Sequence, residues 1–209
     1  MSPRNKLANE QAKDARREQI LMAALQLFAT RGLAATKIAD ISKQSDMSQG
    51  LLYHYFHSKE EIFVELLANA YEKMSDAVKE LERMSITPLE KIRMAIEKLV
   101  QSFAENSHAA YNYLLINQAS IFDAMPDEAR KIVSGRTYLQ DTITSIIVAG
   151  QQDGTLKNYN ASDMALVFWT SLNGLAIYSA VQGTAFKAPD ANILIGMFTN
   201  IPSGLEHCN

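Results

Sequence analysis

Apolar residues recur at helical spacing along the whole chain, and each periodic stretch is bounded by a residue that can start or stop a helix. Ile20, Ala23, Ala24, Leu27 and Phe28 fall at i, i+3, i+4, i+7 and i+8, with Arg16, Arg17, Gln19 and Gln26 opposite. Gly32 then supplies a residue at ease in the left-handed conformation that ends a helix. Thr36 is predicted to cap a short second helix through Ile38 and Ile41. After a turn at Ser45-Asp46-Met47, Ser48 caps a third over Gln49 to Tyr55. Ser58-Lys59-Glu60-Glu61 reads as a capping box, and its helix keeps Ile62, Phe63, Leu66, Leu67, Ala70 and Tyr71 on one face and extends to Met84. Thr87-Pro88-Leu89-Glu90 is a second box, with proline at the first helical position. A further helix is expected from Ala109 to Met125, then a long one from Pro126 to a stop at Asp153-Gly154. Asn160 or Ser162 caps the penultimate helix, and Pro189-Asp190 opens the last. No stretch alternates polar and apolar residues between turn signals, so the predicted fold is all-α with about nine helices.

Composition narrows the function classes. The 209 residues, 47% hydrophobic and 21% charged, suit a filled core rather than a disordered chain. Cys208 is the single cysteine, which excludes an internal disulfide and a Cys-based zinc site. The first twenty residues contain no apolar core of a secretory signal, so a cytoplasmic location is expected. Residues 1–60 carry nine Lys and Arg against six Asp and Glu, whereas the remainder carries eleven against seventeen. A basic head on an acidic body suits a polyanion held at one end.

Met164 to Phe186 holds no charged residue over 23 positions. Such a stretch is buried on every side within one chain, covered by a second subunit, or embedded in a membrane. Thr170, Ser171, Asn173 and Gln182 interrupt it, and the equally uncharged last helix (Ile193, Leu194, Met197, Phe198, Ile201) stands ready to pack on it. A subunit interface is the favoured reading, with Leu166, Trp169, Ile177, Ile193, Met197 and Phe198 as its candidate residues and no membrane role.

Between Thr36 and Lys59, two short helices joined by a tight turn have the form of a helix-turn-helix. Ile38, Ile41, Met47 and Leu52 would brace the second helix so that it projects into a major groove about 12 Å wide. Gln49 can hydrogen-bond a base edge, and Gly50 permits close approach. Tyr53, Tyr55 and Lys59 offer donors to phosphate oxygens, as do the amides near Thr36 and Lys37.

Thr36, Ile41, Gly50, Leu52-Tyr53-His54-Tyr55-Phe56 and Ser58-Lys59-Glu60-Glu61 together resemble the DNA-binding region of the TetR (tetracycline repressor) family. Ile20, Ala24, Leu27-Phe28 and Gly32 match the family's first helix at the right distance. The resemblance covers residues 15–65. It implies a three-helix DNA-binding head, a helical ligand-binding body, and a homodimer on a near-palindromic operator. It also implies a bacterial repressor that leaves its operator when a small molecule binds, with Tyr53 and Lys59 on phosphates and Ser48, Gln49, Gly50 and Leu51 facing bases. On this reading residues 1–14 are an N-terminal tail, 15–62 the helix-turn-helix domain, and 63–209 the effector-binding and dimerisation domain. Three positions depart from the family pattern. Asp46 stands where glycine is usual in the turn, Ser42 where alanine is usual, and Leu51 where a hydroxyl residue is common. Leu51 can pack on a thymine methyl, which points to a different operator.

For the effector, Phe103, Tyr111, Asn117, Phe122, Tyr138, Trp169 and Asn173 are candidate contacts, with Tyr113, Met125 and Tyr178 as further members of the same mixture. Charges are sparse on those faces, which favours an uncharged or lipophilic molecule. Phe56 reads as core, Arg16 and Arg17 as solvated surface, and Glu60, Glu61 and Glu65 as a capped first turn and a solvated face. His54 and His57 lack a third ligand for a metal, and no cofactor is implied. No phosphate loop, G-x-S-x-G elbow or H-E-x-x-H motif occurs, so an enzyme has no motif behind it. A regulator on the same fold with no effector is the nearer alternative.

Overall fold

In a computed structural model, residues 3–105, 107–121, 125–134 and 137–200 are described. Helix α1 spans Pro3–Arg31, α2 Ile38–Gln44, α3 Gln49–Tyr55 and α4 Lys59–Arg83. Then follow α5 (Pro88–Glu105), α6 (Ser107–Ile121), α7 (Asp127–Ser134), α8 (Thr137–Gln152), α9 (Ala161–Gln182) and α10 (Ala191–Phe198). Among the described residues there is no β-strand, only an isolated bridge between Leu156 and Thr199.

Most boundaries arise from the capping chemistry that the sequence carries. The Ser48 hydroxyl accepts from the Leu51 amide at 3.2 Å, and Ser58 from Glu61 at 3.1 Å. The Glu61 carboxylate reaches one residue further back than a standard box, to the His57 amide. Thr87 and Glu90 cap each other reciprocally, and the Thr87 amide and hydroxyl hold the Glu90 carboxyl below its ordinary range. Asn160 caps α9 through the Asp163 amide, and Asp190 caps α10 through Asn192. Gly32 (φ +82) and Gly154 (φ +79) take the left-handed conformation expected of them.

Three expectations are corrected. The first helix runs back to Pro3, through the segment expected as a tail. The single long helix expected after Pro126 is two helices, α7 and α8. Thr36 does not cap α2, because it is fully buried and its hydroxyl donates to the Gly32 carbonyl at 2.8 Å. Lys37 occupies the cap position instead, with its amide held by the Asp40 carboxylate at 3.0 Å.

Two apolar clusters fill the molecule. The first joins α1 (Ile20, Ala24, Leu27, Phe28) to Ile41, Leu52, Phe56, Ile62 and Phe63, with Phe28 and Phe63 edge to face at 5.5 Å. It also takes in Leu115, Ile116 and Ala119 of α6, so the core of the head is continuous with the body. The second is built on α5, α8, α9 and α10, with Ile96, Ile147, Phe168 and Phe198 at its centre. Helix α4 serves both, and its 25 residues extend roughly 37 Å at about 1.5 Å each.

Candidate functional site

Helix α3 rests on Leu52 and is followed by Phe56, both fully buried. Its other side, with Ser48, Gln49, Gly50, Tyr53 and His54, is exposed, and Tyr53 keeps 49% of its surface open. A Cβ added at Gly50 would meet nothing within 4 Å. The protein's own packing therefore does not require glycine there. Leu51 and Tyr55 are half-buried, with Tyr55 packed against the first core. His54, which the sequence offers only as a failed metal ligand, stands beside Tyr55 with ring centroids 5.7 Å apart and adds a donor to the open face. Among the described residues, no group of His, Cys, Asp and Glu could hold a metal ion.

The turn that sets α3 against α2 is built around the positions that depart from the family pattern. Asp46 has φ +52, the one non-glycine residue with positive φ among the described residues. Buried Ser42 donates to the Met47 carbonyl at 2.5 Å and accepts from the Met47 amide at 3.0 Å through its own carbonyl. The hydroxyl that replaces a methyl group thus ties the turn down.

Two basic residues are placed otherwise than expected. The Lys59 ammonium does not stand free in solvent. It donates to the carbonyls of Leu33 (2.8 Å), Ala34 (3.3 Å) and Thr36 (2.9 Å), pinning the α1–α2 loop to the start of α4. Arg17 keeps 40% of its side chain exposed but is not free in solvent either. It forms a two-pronged ion pair with Glu65 of α4 and lies over the Phe56 ring, 4.8 Å from its centroid. Glu65 is correspondingly drawn out of the solvated face expected for it.

A second feature lies in the body. Helices α4, α5, α6 and α9 line a cavity of about 260 Å³ that opens to solvent on one side. Tyr113, Met74, Ile116 and Trp169 form its boundary with a neighbouring cavity of about 220 Å³, which Asn173 also lines. Burial raises the Tyr113 phenol well above its ordinary pKa, so it is neutral, and the Trp169 Nε1 is buried without a partner among the described residues. Lys73, Glu80 and Lys98 stand exposed at the margin.

Of the residues expected to contact an effector, Trp169 and Asn173 line these spaces. Phe103 is buried behind the wall with its ring 5.2 Å from Tyr113, and Tyr111 belongs to the first core. Asn117 is on neither wall, and the Tyr138 hydroxyl donates to Glu82 on the surface. Phe122 lies outside the described residues, as does Cys208. The wall that sequence reasoning missed is made by small residues (Ala70, Ala77, Ala95) and by Met74, Met84 and Met94. A cavity forms where side chains are small, so a search for large aromatics looks past it.

Beyond the cavity, α9 is buried along Met164, Ala165, Phe168, Leu172 and Ala176, and exposed on its other side. Leu166 (56%), Ile177, Val181 (76%), Ile193 (66%) and Met197 leave an uncovered apolar face on α9 and α10. Phe198 is corrected as an interface candidate, being 2% exposed and packed against Phe168. Among the described residues α9 is the one helix long and apolar enough to cross a membrane, and its inner stripe is part of the second core.

Residues 20–66, which hold the helix-turn-helix and the start of α4, match the family model described as bacterial regulatory proteins, tetR family. These residues form a TetR-family DNA-binding domain. The chain is 28% identical over 165 residues to the HTH-type transcriptional repressor KstR2 of Rhodococcus jostii, covering 75% of each protein. Its fold matches the ketosteroid transcriptional regulator KstR2 of Mycobacterium tuberculosis with a TM-score of 0.68 at 22% identity, over 89% of this chain and 96% of that one. It also matches AibR, solved with isovaleryl coenzyme A and operator DNA, with a TM-score of 0.70 at 17% identity, over 88% and 98%. With its TetR-family domain the chain is a DNA-binding transcriptional regulator, and its relatives are regulators rather than enzymes.

Proposed function

We propose that the protein is a homodimeric repressor that leaves its operator when a small molecule occupies the cavity between α4, α5, α6 and α9. The observation that carries this reading is that one helix, α4, both walls the cavity and anchors the head through Lys59. Within the head, bounded by residues 15–62, Ser48, Gln49, Gly50 and Leu51 face the bases. Tyr53, Tyr55, the Lys37 ammonium and His54 meet phosphates. Thr36 and Lys59 act on DNA indirectly, by fixing the loop from which α2 and α3 project. The body from residue 63 pairs with a second copy through Leu166, Ile177, Ile193 and Met197. That pairing sets two α3 helices about 34–36 Å apart, one duplex turn.

The effector is a compact, largely apolar molecule that carries a hydrogen-bond acceptor. The walls are largely apolar, and Trp169 contributes a donor without a partner. Isovaleryl coenzyme A, the acyl thioester with which AibR was solved, and a ketosteroid, the class that the KstR2 regulator is named for, both present a carbonyl oxygen. Lys73 and Lys98 at the margin would tolerate an anionic group there. Binding can release DNA only if the molecule prefers one arrangement of α4 over the other.

The test is fluorescence anisotropy with a duplex spanning the region upstream of the protein's own gene, at several salt concentrations. Isovaleryl coenzyme A and a ketosteroid are then added separately. A salt-dependent complex released by one of them supports the reading. Failure to form a complex at low salt would refute DNA binding at that region, and a complex that survives every compound would favour a constitutive regulator.

A further inference from the structure

The loop between α1 and α2 is held by side chains rather than by its own backbone. Ala29, in the last turn of α1, has its carbonyl taken by Gln118 Nε2 of α6 at 2.9 Å. The carbonyls of Leu33, Ala34 and Thr36 are taken by Lys59 at the start of α4, and that of Gly32 by the Thr36 hydroxyl. Carbonyls past the end of a helix have no partner within it, so these side chains decide where the chain goes next. Both outside partners belong to helices that line the cavity further along their length. Helix α4 lines it from Ala70 to Leu81, eleven residues and more beyond Lys59, and α6 lines it with Ala109, Tyr113 and Ile116, two residues before Gln118.

Gln118 is an odd choice for packing alone. Because the Ala29 carbonyl can only accept, the amide must turn its nitrogen toward α1. Its Oε1 is thereby left buried with no hydrogen-bond partner among the described residues. An apolar side chain of similar volume would only exchange this orphan for an unpartnered Ala29 carbonyl, so the amide brings little net stability and its contribution is the direction of the bond it makes. The surrounding α1–α6 contact is apolar, with Leu115, Ile116 and Ala119 against the α1 core, and fixes separation better than register.

We infer that Gln118 is the positioning residue that registers the end of α1, and hence α2 and α3, to the cavity wall α6. This rests on the proposed effector-controlled reading and names the residue through which the body acts on the head. A molecule in the cavity presses on Tyr113 and Ile116. If α6 shifts relative to α4, Gln118 and Lys59 can no longer both hold the loop. The loop then loosens and α3 loses its fixed orientation.

The experiment uses the full-length dimer with Gln118→Leu, and Gln118→Met in case the branched side chain does not fit. Hydrogen exchange of residues 29–37 is expected to quicken in the variant while the melting temperature stays close to that of the parent. Affinity for the upstream duplex, with no effector present, is expected to fall about tenfold, with an unchanged salt slope because no phosphate contact is lost. Unchanged protection of residues 29–37 would overturn the inference, as would unchanged affinity where the parent binds the duplex. If the parent itself does not bind that duplex, the proposed function fails on that count. The exchange measurement then decides the role of Gln118 alone.

Discussion

The molecule leaves two helical faces uncovered, and they differ in kind. On α3 the open residues are polar (Ser48, Gln49, His54 and the hydroxyl of Tyr53) above a buried Leu52. On α9 and α10 they are apolar, with Val181 and Ile193 the most exposed. Water satisfies the first face while it waits for a partner, so binding there can be reversible and governed by salt. Water does not satisfy the second, and large apolar side chains exposed on neighbouring turns mark a surface that another surface covers. On the proposed reading the first face meets a polyanion that comes and goes, and the second a copy of the chain that stays. The two faces depend on each other, because a single head offers half the contacts of a pair.

Breaking the apolar face is therefore expected to have the largest effect. The double variant Val181→Glu, Ile193→Asp would bury two unpaired carboxylates in the pairing surface, and should give monomers by sedimentation velocity. Loss of the second head should weaken binding to the upstream duplex by about 100-fold or more, within the range set by bivalent attachment. A dimer that persists would place the pairing surface elsewhere and remove the contrast between the faces.

Next in size is Lys59→Met, which tests whether the head's basic residues all belong to the polar face. Loss of three hydrogen bonds from an ammonium should cost about 2 kcal/mol of stability. For a chain of this length that is a fall of roughly 4–8 °C in melting temperature. The salt slope of DNA binding should stay the same. A slope reduced by about one unit would instead return Lys59 to the phosphates.

What the sequence made legible follows the same division. Head boundaries are written in near-neighbour chemistry. Ser48 and Ser58 cap the amides three residues on, and Gly32 turns the chain. Such bonds depend on local spacing, which a sequence displays directly. Thr36 misled because a hydroxyl that can cap forward can also bond back to the carbonyl four residues earlier, and burial decided for the latter. Lys59 and Arg17 misled because a long side chain reaches partners 23 to 48 residues away, and composition suggests only solvent or phosphate. The cavity was least legible, since Ala70, Ala77 and Ala95 create it by what they lack and look like ordinary helix formers. The uncharged run at Met164 to Phe186 announced an unusual helix, but only packing could separate buried Phe168 from exposed Leu166.

A smaller effect would map the polar face itself. Gln49→Ala should alter base preference at one or two operator positions by about 1–2 kcal/mol and leave the dimer untouched. Selection from a randomised duplex library before and after the substitution measures this. An identical preference would mean that Gln49 is exposed but not read.

The smallest expected effect separates backbone from charge at the turn that orients this face. Asp46 combines a left-handed backbone with an exposed carboxylate two residues before the Ser48 cap. Asparagine keeps the tolerance of that conformation and removes the charge, whereas glycine removes both the charge and the strain. If the turn lies beside DNA, Asp46→Asn should tighten operator binding about two- to threefold at low salt, because like charges no longer oppose, with little change in melting temperature. Asp46→Gly should give the same gain in affinity and add about 0.5 kcal/mol of stability, the strain relieved less the greater freedom of glycine in the unfolded chain. If neither variant changes affinity, the carboxylate lies outside the field of the duplex. If only the glycine variant weakens it, the rigidity of the turn, and not its charge, is what presents α3 to the groove.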